Sequence, residues 1–314
     1  MSRTAVLPPS SAVGRRPKPR GRRPLLSPGR ALAWTYLGIF LLITLFPFYW
    51  ILRTSLSNNY ALIGHPSSLL PVGLTLGPFE RVLGFATPQQ AVAQGGSGAS
   101  IDLGLYLRNS VIYASSLTIC VVLSSVLAAY AFARLHWPGR DLVFGLFLTA
   151  LMVPGIMTLL PNFVLIHDLG LTNTFAGLIL PGALFSAFGI FFLRQFMLGL
   201  NGEIEQAARI DGLGPVGILF RLTIPMASGP LTTLALLTFI NTWNDYFWPL
   251  LIADGPGVRP LTVALGVFEQ ASPQSQPDFA GLMAASLVAA LPMLLIFVIF
   301  GKRIVNSIGF TGIK

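Results

Sequence analysis

The chain has 314 residues, of which 54% are hydrophobic and only 10% charged, with a formal charge of +9 and a mean hydropathy of +0.73. The core of a soluble domain of this size could not use so much apolar surface. One cysteine, Cys120, excludes an internal disulfide and argues against redox chemistry.

Residues 1–30 form a basic, proline-rich tail. Arg3, Arg15, Arg16, Lys18, Arg20, Arg22, Arg23 and Arg30 carry eight of the 20 cations, interleaved with Pro8, Pro9, Pro17, Pro19 and Pro24. Such a segment cannot bury an apolar face, so it is predicted to be a disordered cytoplasmic extension near anionic lipid. The remainder, 31–314, holds six apolar blocks at 34–52, 111–133, 142–166, 175–193, 230–253 and 280–300. Each approaches the roughly 20 residues that a helix needs to cross the hydrocarbon, and Asp245 is the one charged side chain among them. Barrel strands would alternate apolar and polar positions over about 10 residues; these blocks are apolar all round and read as helices. The first is longer than a cleaved signal core of about 7 to 15 residues, and no clear small-residue cleavage site follows it. It is predicted to remain as an anchor.

The connection 53–108 is long, polar and glycine-rich around Gly95, Gly96 and Gly98, a surface element and candidate docking site for an external partner. The next two connections are short, which makes spans two to four antiparallel neighbours. Five blocks contain an interior proline (Pro47, Pro154 and Pro161, Pro181, Pro249, Pro292), each a place where a spanning helix can kink. With the tail inside, an even number of spans returns the C-terminus to the same side. The inner segments then hold 16 Lys and Arg residues against four outside, Arg53, Arg81, Arg108 and Arg259, as the positive-inside rule requires. The excess positive charge is therefore a topology signal, and nucleic acid is not a predicted partner. The predicted fold class is an all-α membrane protein with six transmembrane helices in the lipid bilayer and both termini cytoplasmic.

The fourth connection, 194–229, is too polar to span and too patterned for a linker. Asn201 suits a helix N-cap, and Glu203 and Glu205 fall in the first turn, where the helix dipole favours carboxylates. Gly212 suits the left-handed position past the helix end, and Pro215 the first turn of a second helix. Ala207 and Ala208 give low relief that lets a partner's backbone approach, while Glu205, Ala208 and Gly212 share a face at i, i+3 and i+7. By spacing alone, the segment also reads as an ordinary amphipathic surface helix.

The segment resembles the cytoplasmic loop of binding-protein-dependent ABC importer permeases, whose pattern is Glu-Ala-Ala, two variable residues, Asp-Gly, and Ile-x-x-Pro or Ile-x-Leu-Pro about a dozen residues later. Ala207, Ala208, Asp211 and Gly212 match, and Ile224 and Pro225 close the pattern. Gln206 stands where the family has Glu, which leaves Glu203 and Glu205 as candidates for the polar contact. Further matches extend the resemblance over 53–314: 107–111 before span two, 128–134 with Pro138, Gly139 and Arg140 after it, 177–181, Trp243, Asn244 and Asp245 in span five, and 311–314. Together they look like the second permease of the carbohydrate uptake family, similar to the maltose, glycerol-phosphate and trehalose importers. The resemblance implies a coupling helix between spans four and five that docks on a cytoplasmic ATPase, with Glu203, Glu205, Gln206, Ala207, Ala208, Asp211, Gly212, Ile224 and Pro225 as the coupling residues. It implies as partners a second permease subunit, two cytoplasmic ATPase subunits and an extracytoplasmic substrate-binding protein. A sugar or oligosaccharide is the implied cargo, with a non-sugar polar solute as the alternative.

Span five enters from the inside at Pro230, which places Asn241 about 16 Å deep at 1.5 Å per residue, near the midplane. On a continuous helix Asn241, Asn244, Asp245 and Trp248 share one face at i, i+3, i+4 and i+7. A carboxylate there must face the bundle interior or a wet cavity. These groups suit sugar hydroxyls and an apolar sugar face, ties between helices, or a gate, and spacing leaves all three open. An ion-coupled secondary transporter is expected to carry several intramembrane ionisable residues, and an embedded enzyme a convergent acid, base or metal set. The spans hold one carboxylate. Gly212 to Gly217 fits G-x-G-x-x-G, but no strand precedes it and Pro215 interrupts it, as in a chance match. No P-loop or HExxH string occurs, and His65, His136 and His167 lie on separate loops. The chain is therefore expected to be no enzyme itself and to carry no cofactor or metal, with hydrolysis left to separate ATPase subunits.

Overall fold

A computed structural model describes residues 28–96, 101–271 and 277–309. The predicted disordered tail ahead of Pro28, Ser97 and Gly98 of the glycine-rich stretch, and the motif at 311–314 lie outside the described residues. Every regular element among the described residues is helical. In chain order they are α1 (Pro28–Ser55), α2 (Asn59–Gly64), α3 (Gly77–Val82), α4 (Pro88–Ala93), α5 (Leu103–Arg134), α6 (Arg140–Ala150), α7 (Gly155–Asp168) and α8 (Phe175–Ala183). There follow α9 (Ala187–Leu198), α10 (Gly202–Ile210), α11 (Pro215–Ile218), a widened turn (Leu219–Thr223), α12 (Ile224–Met226), α13 (Ser228–Trp243), α14 (Phe247–Ile252), α15 (Leu261–Ala271) and α16 (Phe279–Gly309).

The chain divides into two units between Tyr49 and Trp50, inside α1. In the first, the helix from Pro28 onward exposes Trp34, Phe40 and Leu42, apolar groups that suit contact with lipid. In the second, α5 is the axis on which α8, α9 and α13 pack. The α5–α9 approach depends on small residues: a Cβ at Gly189 would stand 2.4 Å from Ser125 Oγ. Hydrophobic transfer gives little drive between helices in lipid, so such close backbone packing carries the association.

Three helices are long and apolar enough to span singly: α1, α5 and α16. Two of the other predicted spans, the third and the fourth, are bent pairs; a third bent pair joins the α11–α12 segment of the predicted fourth connection to α13, so the count among the described residues reaches six when each pair is one span. The third span turns by 99° between α6 and α7. Pro154 caps α7 in an extended conformation, and a proline excludes both itself and its predecessor from continuing a helix smoothly. The fourth span bends by 43° before Ser186, whose hydroxyl caps α9 at Gly189 N. A 76° bend at Ala227 separates the α11–α12 segment from α13.

The predicted kinks at Pro47, Pro161 and Pro292 do not interrupt their helices, because α1, α7 and α16 run through them. Span five departs most from the prediction of a continuous helix over 230–253. α13 stops at Trp243, and α14 begins at Phe247, with Pro249 in its first turn, where a missing N–H costs nothing. The apolar helix α15 was not predicted; its 11 residues are too few to cross a bilayer.

The connection after α1 is pinned rather than merely superficial. Asn59 donates to the carbonyls of Gly95 (2.7 Å) and Pro277 (3.0 Å) and accepts from Ala280 N. A buried ion pair, Arg81 Nη2 to Asp278 Oδ1 at 2.9 Å, ties α3 to the start of α16.

Candidate coupling helix and membrane path

α10 forms where the capping signals place it. The Asn201 side chain accepts from Glu203 N at 3.0 Å. At the other end Gly212 adopts φ +85°, with Leu213 N bonded to Ala208 O and Gly212 N to Arg209 O at 2.9 and 3.1 Å. These two bonds satisfy last-turn carbonyls that would otherwise lack partners, the Schellman arrangement that a glycine in the left-handed region permits. The chain then re-enters a helix at Pro215, in the N1 position expected of it.

The helix is two-faced, and the faces differ from the sequence reading. Glu205 and Ala208, expected to meet a partner, are turned into the protein with 8% and 6% exposure. Ala208 joins a core of Val126, Ala129 and Tyr130 from α5, Leu193 and Met197 from α9, Ile218 and Leu219, and Leu234 from α13. Its small side chain therefore lets α10 settle on its own chain's spans. Ile224 packs against the same core, whereas Pro225 is exposed. Glu203, Gln206, Ala207, Asp211 and Gly212 stand on the open surface. Beside them Ile210, Val216 and Phe220 expose 87%, 69% and 56% of their surface. Those three were not singled out from sequence, because apolar residues recur through the connection and neighbours such as Ile218 and Leu219 are buried.

Span five separates its four candidates. Because α13 ends at Trp243, Asn241, Asn244, Asp245 and Trp248 do not line one continuous helical face. Asn241 and Asn244 are exposed, the latter donating to Ile240 O at 2.8 Å. Asp245 accepts a 2.9 Å hydrogen bond from the Tyr113 hydroxyl of α5, and its backbone carbonyl accepts from Thr262 of α15. The Trp248 indole donates to Leu178 O at 3.1 Å and packs against the core of Tyr113, Ile166, Leu178 and Ile252. Asp245 and Trp248 thus bind the break in span five to its neighbours. Tyr113 was missed because a tyrosine within an apolar block carries no pattern until the break brings Asp245 beside it.

Residues 121–309 match the family of binding-protein-dependent transport system inner membrane components. The chain belongs to this family. The permease is 31% identical over 287 residues to the inner membrane ABC transporter permease protein YcjP of Escherichia coli, a match covering 88% of this chain and 94% of that one. It is 30% identical over 287 residues to the sulfoquinovosyl glycerol transport system permease protein SmoH of Agrobacterium fabrum, covering 91% and 94%. To the diacetylchitobiose uptake system permease protein NgcG of Streptomyces coelicolor it is 29% identical over 279 residues, covering 88% and 87%. Its fold is similar to that in the crystal structure of a bacterial ABC transporter involved in the import of the acidic polysaccharide alginate, with a TM-score of 0.71 and 24% identity over 89% of this chain and 99% of that one. The permease is accordingly an inner-membrane component of an ABC transport system, and its family is not itself the catalytic part.

Proposed function

We propose that this permease forms one half of the membrane pathway of an ATP-driven importer for a sugar or oligosaccharide. A binding protein delivers the cargo outside, a second permease completes the pathway, and two ATPase subunits bind at the cytoplasmic ends. The observation that carries this reading is the division of α10: Ala208 is held in a core shared with α5, α9 and α13 and Glu205 is buried beside Arg134 of α5, while Gln206, Ala207, Ile210 and Asp211 remain in solvent. A helix packed on three spans passes a push on its outer face directly to them. Exposed apolar groups with a polar rim suit a protein partner rather than water. The carbohydrate cargo is supported by the relatives' names, including those for diacetylchitobiose and arabinooligosaccharides. Asn241 and Asn244 remain the candidates for the substrate path; Asp245 and Trp248 serve the scaffold.

The test is ATP-dependent uptake by the reconstituted complex, with Asp211→Arg and Gly212→Arg. Both variants should assemble in the membrane and lose uptake because the outer face no longer fits the motor. Unchanged uptake in both contradicts the docking assignment, and uptake by the unaltered complex without nucleotide hydrolysis contradicts the transport class.

A further inference from the structure

Arg134 is the last residue of α5, and its guanidinium reaches two other helices. Nη2 donates to the carbonyls of Met197 (2.6 Å) and Leu200 (2.8 Å), at and just beyond the C-terminal end of α9. Nε lies 3.0 Å from Glu205 Oε1 on α10. Both side chains are largely withdrawn from solvent, at 13% and 10% exposure. One turn earlier on α5, Tyr130 packs in the core that also holds Ala208 of α10. The remaining charges of α10 and its cap, Glu203, Arg209 and Asp211, are exposed.

We propose that Arg134 and Glu205 form a strut that fixes the coupling helix to α5 and to the end of α9, so that Glu205 is a positioning residue within this chain and not an ATPase contact. This rests on the coupling role proposed for α10. Apolar packing at Ala208 alone is non-directional and permits sliding; the two carbonyl bonds orient the guanidinium, and the charge pair, a 3.0 Å approach rather than a hydrogen bond, holds the Glu205 carboxylate beside it. A buried pair is weak evidence for net stability, but losing one partner leaves an uncompensated charge. The strut's contribution therefore lies in stiffness under load. Motion of the docked helix reaches α5 without lost travel.

The experiment uses the assembled complex of both permeases, both ATPase subunits and the binding protein. It measures nucleotide hydrolysed per substrate imported, together with retention of the ATPase subunits on purification. Glu205→Gln keeps the side-chain shape and an acceptor oxygen but removes the charge. It should retain the ATPase subunits and raise the nucleotide-to-substrate ratio above that of the unaltered complex. Arg134→Lys, which keeps the charge but loses the fork, should raise the ratio less than Arg134→Gln. The double variant Glu205→Gln with Arg134→Gln should be no worse than Arg134→Gln alone, since the two act as one unit. The strut is overturned by an unchanged ratio in Glu205→Gln, by additive losses in the double variant, or by loss of the ATPase subunits on Glu205→Gln, which would make Glu205 a direct contact. If the unaltered complex transports without hydrolysis, the coupling role itself fails, and that outcome is separate from the other three.

Discussion

Gly212→Ala isolates the turn that ends α10. Gly212 sits at φ +85°, and a Cβ built there meets nothing within 4 Å, so the substitution adds backbone strain without a clash. An L-residue in the left-handed region costs about 1–2 kcal/mol, which raises the population of the opened turn about 5- to 30-fold. The reporter is the Leu213 amide, bonded to Ala208 O at 2.9 Å in the closed turn. Its hydrogen exchange in the purified complex should accelerate by that factor in Gly212→Ala, by less in Gly212→Asn and by more in Gly212→Val. Asn tolerates the left-handed region, and β-branching makes it harder to reach. Equal protection in all four proteins would refute the assignment of Gly212 to a strained C-terminal turn.

Two further perturbations test the scaffold. Asp278 pairs with Arg81 and also accepts from Gly281 N at 2.8 Å at the start of α16, so Asp278→Ala removes both and should destabilise by about 3–5 kcal/mol, read as thermal unfolding in detergent; a change under 1 kcal/mol would mean the pair is not buried in solution. At the break in span five, Tyr113→Phe removes the donor to a partly buried carboxylate and should cost about 1–3 kcal/mol, whereas Asp245→Asn keeps an acceptor and should cost less while preserving uptake. Loss of uptake in a stable Asp245→Asn would place that carboxylate on the cargo.

The sequence revealed the parts of the fold governed by local rules. Apolar blocks of bilayer length located the spans, and Asn201, Gly212 and Pro215 located the ends of the helices around the fourth connection, because capping involves only near neighbours. Breaks in spans were harder to read. Pro154 marks one, yet Pro47, Pro161 and Pro292 sit in unbroken helices, and the stop at Trp243 owes nothing to a proline at that point. Whether a proline interrupts a span depends on how neighbouring helices satisfy the freed carbonyl, which is a tertiary matter. The same limit explains the faces of α10. Periodicity groups Glu205 with Ala208, but only the positions of α5 and α9 decide that this face points inward and that Arg134 meets it. Ile210 and Phe220 went unremarked because exposure cannot be read from apolarity alone.

The central claim is that α10 presents its Ala207 and Ile210 side to the motor and its Glu205 and Ala208 side to the spans. In a Cys120→Ser background, Ala207→Cys and Ile210→Cys in the assembled complex should each cross-link to an ATPase subunit through a short thiol-reactive reagent. Ala208→Cys should not. A cross-link from Ala208→Cys with none from Ile210→Cys would contradict the account.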